Sequence, residues 1–235
     1  GEQKDNLHTS NGEIEEKSSF IGSSGMSIVY MSPNAIYTTY TYYNSIFDFL
    51  YGFFAENAGD LISESIVEDM KKVKEYDLSD AAKMTEFENI IVEWMDGLSE
   101  DEMLKVENEL TDKMENYAQE KGRDLESTGI AKINLQNLEV DSTGVVPGHP
   151  LNQFSLDEYK DNLRIAVTIN NDLGGESAND IYVLDSSLNE MGSVKNLGLD
   201  ESIYSVRFIK EQGYLVTFKQ IDPFYVLDLS DPTNP

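Results

Sequence analysis

The feature that most constrains the fold is an internal repeat. Residues 181–188 (IYVLDSSL) align with residues 224–231 (FYVLDLSD) at an offset of 43, with Tyr, Val, Leu, Asp and one Ser coinciding. A weaker third copy is residues 130–134 (IAKIN). Another β-branched or aromatic run precedes each copy. These runs are residues 163–169, 214–219 and, before the weak copy, 35–42.

The spacing of the runs favours a β-repeat architecture. From residue 129 to the end, short apolar runs recur about every ten residues and are separated by Gly, Asn, Asp or Pro. A period of 40 to 50 residues with four short strands each is typical of propeller blades, which bury their faces against neighbouring blades. Thirteen Tyr and ten Phe against one Trp suit a sheet-rich chain. We therefore expect a mainly β fold, a partial β-propeller of about three four-stranded blades.

Residues 46–126 do not follow this strand pattern, and their sequence predicts a small acidic helical bundle. They hold 23 acidic and 8 basic side chains, a net charge of −15. Apolar residues recur at helical spacing behind candidate N-caps at Asp60 and Ser79, and residues 99–102 (SEDE) read as a capping box. We expect a bundle inserted into the first blade, with blades over 20–45 and 127–235 and a mobile polar tail over 1–19.

Net charge and composition exclude several functions. The net charge of −27 makes nucleic acid and anionic membrane surfaces poor partners, since both would be repelled. The absence of Cys excludes disulfides, thiolate nucleophiles and Cys-ligated metals. The chain contains no transmembrane run and no signal peptide. We predict no cofactor.

Candidate catalytic and metal-binding residues are few. His8 lies in the polar tail and His149 in a turn, and no nucleophile elbow or phosphate loop is present. Residues 170–175 (NNDLGG) loosely resemble a calcium loop, but their spacing does not fit an EF-hand. Asp157 and Glu158 are adjacent carboxylates that would suit a glycosidase only if they converged on one bond. We commit to no catalytic, metal or cofactor residue.

Three features keep binding functions open. Arg164 and Arg207 lie inside strand patterns, where each is either an anion contact near a central channel or half of an inter-blade ion pair with Asp157 or Glu158. The apolar run 46–54 (IFDFLYGFF) is either an exposed partner or lipid contact or, as we favour, a segment that packs on the helices after it.

The chain also resembles a known family: secreted microbial proteins with a C-terminal β-propeller domain, distantly similar to WD-repeat propellers. The resemblance covers roughly residues 20–45 and 127–235. It rests on residues 152–159 (NQFSLDEY), 163–166 (LRIA), 203–208 (IYSVRF), 213–218 (GYLVTF), 222–224 (DPF) and 228–232 (DLSDP). The family implies export, often with lipid anchoring at the cell surface, and no established activity or catalytic residues. This chain departs from the pattern by stopping early, so the resemblance implies an incomplete ring.

We therefore expect a non-catalytic binding or scaffold module, secreted or anchored at the cell surface, with an unidentified protein or surface ligand and possible self-association through exposed strand faces. Two alternatives stay open. One is a propeller-based hydrolase whose active site lies outside this chain. The other is a cation-binding surface protein that uses the acidic insertion.

Overall fold

The computed structural model describes residues 7–8, 13–14, 27–170, 176–219 and 223–235. The chain divides into two compact units. Tyr43–Leu125 forms one, and the β-strands before and after it form the other. The tail predicted to be mobile, 1–19, lies mostly outside the described residues. Within it, β1 (Leu7–His8) and β2 (Glu13–Ile14) pair antiparallel.

Three antiparallel sheets, in which strands adjacent in the sheet follow one another in the sequence, make up the β unit. We call them blades 1 to 3. Blade 1 comprises β3 (Ser27–Met31), β4 (Ala35–Tyr43), β5 (Glu126–Asn134) and β6 (Val140–Pro147). Blade 2 comprises β7 (Leu156–Tyr159), β8 (Asn162–Ile169), β9 (Ala178–Leu184) and β10 (Glu190–Leu197). Blade 3 comprises β11 (Ser202–Ile209), β12 (Gln212–Phe218) and β13 (Phe224–Asp228). The mainly β prediction is confirmed, although blade 3 has three strands among the described residues rather than four.

The repeat segments occupy equivalent places in the blades. β9 and β13 are each the third strand of a blade, and β5, which carries the weak copy, is the third strand of blade 1. Pairing with the preceding strand is also equivalent, because Ile181 faces Ala166 in blade 2 as Phe224 faces Val216 in blade 3. The helices enter between the second and third strands of blade 1.

The side chains on the two faces of β8 pack into two different hydrophobic clusters. Leu163, Ile165 and Val167 pack with buried residues of blade 1 such as Tyr37 and Ile130. Ala166, on the opposite face, packs with a second cluster whose blade 3 members are Ile203, Val206 and Leu215. Successive side chains of a strand point to opposite faces, so a strand buried on both sides reads as a continuous apolar run. This explains why five of the seven residues 163–169 are apolar.

Polar links reinforce the contact between blades 2 and 3. Thr168 is buried in β8, and its hydroxyl accepts a hydrogen bond from the backbone N–H of Ile203 at 3.1 Å. The same hydroxyl donates to the Asn179 side chain at 2.8 Å. The Asn179 amide in turn donates to the carbonyl of Leu197 at 3.0 Å. Buried polar groups are tolerated where they are hydrogen-bonded, and here they fix the register of two blades.

The helical unit contains α1 (Ile46–Asn57), α2 (Glu64–Glu75), α3 (Asp80–Asp96) and α4 (Glu100–Lys121). The predicted cap at Ser79 and the capping box at Ser99 are confirmed: each Ser side chain accepts a backbone N–H, and the Glu102 carboxylate accepts the N–H of Ser99. The predicted cap at Asp60 is wrong. α2 begins at Glu64, after Ser63, and Asp60 instead pairs with Lys113 of α4 at 2.9 Å.

The apolar run 46–54 forms the core of the helical unit. Phe47, Phe49, Phe53 and Phe54 are all buried and belong to one cluster with residues of the other three helices. Phe53 and Phe49 lie 5.6 and 5.0 Å from the Tyr117 ring of α4, centroid to centroid. Edge-on and tilted aromatic pairs of this kind add to the burial of apolar area. The favoured interpretation, packing onto the helices that follow, agrees with these contacts.

Candidate functional site

Arg164 is fully engaged by the fold. Its side chain is 3% exposed; Nε donates to the Asp157 carboxylate at 3.0 Å, and Nη2 contacts the same oxygen. Nη1 donates to the carbonyl of Lys210 in blade 3 at 2.5 Å. The guanidinium also lies between the rings of Tyr159 and Phe208, 4.9 and 5.0 Å from their centroids. All of these contacts are structural, and they leave Arg164 unsuited to bind a ligand.

These contacts decide between the two roles that the sequence left open for Arg164, an anion contact and an inter-blade ion pair. Arg164 forms an ion pair, but the position of its partner needs a correction. The carboxylate partner, Asp157, lies on β7 of the same blade, so the ion pair is not between blades. The contact that crosses to blade 3 is the hydrogen bond to the backbone of Lys210. A carbonyl acceptor in a neighbouring turn carries no side-chain signature, so the sequence could not indicate it.

Asp157 and Glu158 act on opposite sides of β7. Glu158 accepts a hydrogen bond from Asn34 of blade 1 at 2.9 Å and another from the Ser32 hydroxyl, while its backbone N–H donates to the Tyr30 hydroxyl at 3.0 Å. Burial raises the pKa of Tyr30. The two adjacent carboxylates thus join different neighbours and do not converge on one point.

Arg207, in contrast, is available. It lies on β11, and its guanidinium stacks on the Phe154 ring at 4.1 Å from the centroid. Nη1 donates to the carbonyl of Val206 at 2.6 Å. Among the described residues no carboxylate pairs with Arg207, in a chain with 44 acidic side chains. An unpaired, ring-supported guanidinium is suited to accept an anion.

A pocket of about 430 Å³ lies beside Arg207. Its walls come from the first strands of all three blades and from the 3₁₀ turn Gln153–Ser155 that precedes β7. Val29 and Met31 of β3 are 55% and 65% exposed, and Phe154 is 49% exposed. The remaining wall residues are Tyr30, Gln153, Leu156, Asp157, Arg207 and Phe208. The pocket therefore joins a mostly apolar surface to the Arg207 guanidinium, which has no carboxylate partner among the described residues.

The 3₁₀ turn explains why Phe154 lies in the pocket wall. The Asn152 side chain accepts the N–H of Phe154 at 2.9 Å, and the Ser155 hydroxyl accepts the N–H of Asn152 at 3.4 Å. This reciprocal cap ends before β7 and holds the Phe154 ring outward. The sequence predicted no role in a site for Phe154, which appears only within the resemblance segment 152–159 (NQFSLDEY). The Asn-x-x-Ser spacing at 152–155 was the signal that could have revealed it.

The described wall of the pocket holds few reactive side chains. None of its nine residues is Ser, Thr, Cys, His or Lys, and its carboxylate, Asp157, is held by Arg164. Among the residues that the structure describes, the wall shows no hydrogen-bonded pair of nucleophile and base of the kind that acyl or phosphoryl transfer uses. The arrangement can position a ligand through apolar contact and charge.

The histidines and the possible cation sites lie elsewhere. His149 Nδ1 is 2.9 Å from the buried Glu126 carboxylate, and its backbone pairs with Thr168, so it links blades 1 and 2. His8 lies in β1, and its side chain is outside the described residues, as is most of the loop 170–175. Over the described part of the chain, no three His, Asp or Glu side chains are grouped to hold a metal ion. No described helix is long and apolar enough to cross a membrane.

The blade architecture agrees with the comparison with known families. A family model described as a beta propeller domain matches residues 6–235. The chain belongs to the beta propeller domain family. The propeller is 47% identical over 229 residues to an uncharacterized protein of Archaeoglobus fulgidus, covering 97% of this chain and 36% of that protein.

A second relative of the propeller is an uncharacterized protein of Methanocaldococcus jannaschii, 36% identical over 231 residues, which cover 97% of this chain and 37% of that protein. The chain thus spans a little over a third of the length of these two relatives. No solved structure matches it significantly.

Proposed function

We propose that the propeller is a non-catalytic binding module and that the pocket beside Arg207 holds a ligand with an anionic group and an apolar body. The observation that carries the proposal is the exposed Arg207 guanidinium, stacked on Phe154 in the wall of a mostly apolar pocket. Ligand sites are typically concave and mainly apolar, with a few polar groups that fix orientation. The anionic group would lie on the guanidinium and the apolar body along Val29, Met31 and Phe208.

The contrast between the two strand arginines supports this assignment. Both lie in blade strands beside aromatic rings, yet Arg164 is buried against a carboxylate and a carbonyl, whereas Arg207 is exposed and has no carboxylate partner among the described residues. A protein with a net charge of −27 repels anions at long range. An anionic ligand would therefore depend on the short-range contact with Arg207, and its affinity would rise with salt as the repulsion is screened.

Two fluorescent probes test the proposal. 8-Anilinonaphthalene-1-sulfonate carries an aromatic body and an anionic group, and N-phenyl-1-naphthylamine carries a closely similar body with no charge. We expect Arg207→Gln to weaken sulfonate binding about tenfold, the effect of losing a hydrogen bond to a charged group, and to change neutral-probe affinity less than twofold. Phe154→Ala should weaken both.

The matched control is Lys219→Gln, which removes a positive charge at the end of β12, where Lys219 pairs with Asp200. It should leave both affinities unchanged. If Arg207→Gln and Lys219→Gln affect the sulfonate equally, the pocket does not select anions. If neither Arg207→Gln nor Phe154→Ala changes either probe, the pocket is not the binding site.

We further propose that the module works outside the cytoplasm, secreted or at the cell surface. The support is the resemblance of the blade motifs to secreted propeller proteins. Fractionation of the source cells with an antibody to the β unit tests it, and recovery of the protein only with cytoplasmic markers would contradict it.

A further inference from the structure

The hairpin formed by α3 and α4 is longer than the other two helices of the helical unit. α1 and α2 have 12 residues each, about 18 Å of helix, whereas α3 has 17 and α4 has 22, about 33 Å. The aromatic contacts of α1 with the hairpin lie at Phe87, in the first half of α3, and at Tyr117, near the end of α4. The half of the hairpin next to its connection, 97–99, therefore extends past these contacts.

Residues 88–109, which we call the hairpin tip, carry apolar side chains that lie outside the cluster of Phe47 and Phe87. These side chains are Val92, Met95, Leu98, Met103, Leu104 and Val106. Val92 and Leu104 are 58% and 63% exposed, and each lies six residues from Leu98, so the two antiparallel helices place them at the same level. Within the described part of the chain, the hairpin tip thus presents an apolar surface that no other helix covers.

The hairpin tip is also strongly acidic. It contains eight acidic side chains and one basic side chain, a net charge of −7. The basic residue, Lys105, pairs with Glu109 at 3.7 Å. Glu93, Asp96 and Asp101 are exposed and lie close in sequence to the apolar side chains. An exposed apolar surface with a polar rim is typical of an interaction site, and here the rim is negative.

We propose that the hairpin tip is a docking site for a basic amphipathic helix of a partner protein. Charge selects this occupant, because the tip repels a second copy of itself and an anionic lipid surface but attracts Lys and Arg side chains. The apolar side chains of such a helix, at i, i+3, i+4 and i+7, would lie along Val92 and Leu104. Met95 and Met103 have flexible side chains that adapt to an apolar face of this kind.

Trp94 supplies the measurement. It is the single Trp of the chain, it is half-buried, and it follows Glu93 and precedes Met95 within the hairpin tip. Its emission should move to shorter wavelength when a helix covers the tip. The proposal is independent of the pocket beside Arg207, which belongs to the β unit. Salt separates the two, because a cationic helix should bind more weakly as NaCl rises, whereas an anion at Arg207 should bind more tightly.

Three synthetic peptides, titrated into the intact chain, test the proposal. The peptide LKKLLKLLKKLLKL forms a basic amphipathic helix and should shift the Trp94 emission to shorter wavelength in a saturable way. The peptide LEELLELLEELLEL keeps the apolar face and reverses the charge. The peptide AKKAAKAAKKAAKA keeps the charge and removes the large apolar side chains. Each of the last two should bind at least tenfold more weakly than the first.

Variants of the chain locate the basic peptide on the hairpin tip. Leu104→Gln should weaken its binding about tenfold, because an apolar contact of the interface is lost. The matched control is Leu78→Gln, at a site that is 44% exposed between α2 and α3, and it should leave the affinity unchanged.

A second pair of variants tests the charge. Glu93→Gln combined with Asp101→Asn should weaken binding of the basic peptide about fivefold, since two exposed ion pairs are lost. Asp112→Asn combined with Glu115→Gln removes the same charge from exposed positions farther along α4 and should change the affinity less than twofold.

Three results would overturn the proposal. One is equal affinity of the Leu104→Gln and Leu78→Gln variants for the basic peptide. Another is binding of either altered peptide as tight as that of the basic amphipathic one, because the apolar face or the charge would then not matter. The third is a concentration-dependent dimer, seen by sedimentation, that shifts the Trp94 emission before peptide is added. That last result would show a second copy of the chain covering the hairpin tip.

Discussion

Replacing either member of the Arg164–Asp157 ion pair should lower the free energy of unfolding of the β unit strongly. Removal of one partner of a buried ion pair costs about 3–5 kcal/mol when the other charge stays buried. Asp157→Asn leaves the guanidinium, 3% exposed, without its carboxylate, so we expect the low end of that range, about 3 kcal/mol. Arg164→Met leaves Asp157, which is 28% exposed and can be hydrated, so we expect about 2 kcal/mol, mostly from the lost contacts.

The double variant decides whether the loss comes from the interaction itself. A buried ion pair replaced by groups of similar volume is often close to neutral. Asp157→Asn with Arg164→Met should therefore cost clearly less than the two single changes together, with a coupling energy of about 1–2 kcal/mol. Urea unfolding followed by circular dichroism gives the totals. Hydrogen exchange in β8 and β11, compared with α4, shows whether the loss is confined to the blades.

Arg207→Gln is the matched control, since it removes the other strand arginine and should change the free energy of unfolding by no more than about 0.5 kcal/mol. A cost below about 1 kcal/mol for Asp157→Asn would refute the reasoning. Strict additivity of the two changes would also refute it, because the charges would then not be coupled.

Two further outcomes are expected. Phe47→Ala should destabilise the helical unit by about 3–5 kcal/mol, because the Phe47 side chain of α1 is fully buried and packs on Phe87 of α3. Val92→Ala, at an exposed site on α3, should be close to neutral. The fluorescence of Trp94 during urea unfolding measures both free energies of unfolding. Hydrogen bonds from the backbone and side chain of Asn189 lower the pKa of Asp185, so its contribution is present above the unfolded pKa of about 3.9 and is lost as the pH falls below it. Asp185→Asn should flatten the acid limb of a melting-temperature profile, and an unchanged limb would contradict this.

The repeat predicted the blades because its copies occupy equivalent positions in the sheets. β9 and β13 are both third strands and carry the same Tyr-Val-Leu-Asp sequence, although Ile181 and Val183 are buried whereas Phe224 and Val226 are exposed. The helical segment was also readable, since the Ser79 and Ser99 caps are local hydrogen-bonding patterns. Asp60 failed as a cap because its carboxylate pairs with Lys113, a residue 53 positions away.

The pocket could not be read from the sequence, because it depends on contacts between blades. Arg164 and Arg207 look alike in sequence. Their difference arises from the carboxylate of Asp157, which pairing of β7 with β8 places beside Arg164, and from the carbonyl of Lys210, which the packing of blade 3 against blade 2 adds. Phe154 is a different case: the Asn-x-x-Ser pattern at 152–155 indicates the local cap, but the packing of Arg207 on the Phe154 ring depends on the fold.

The position of the helices has a consequence for how the protein tolerates change. The chain leaves blade 1 at the end of β4 and returns at the start of β5, its neighbour in the same sheet. At that junction the backbone N–H of Asn44 donates to the carbonyl of Leu125 at 2.8 Å, so the two ends of the excursion are fastened together. The distance to be closed is therefore the width of a single hairpin, whatever lies between. A segment of another length at this place would therefore leave the strand order of blade 1 unchanged.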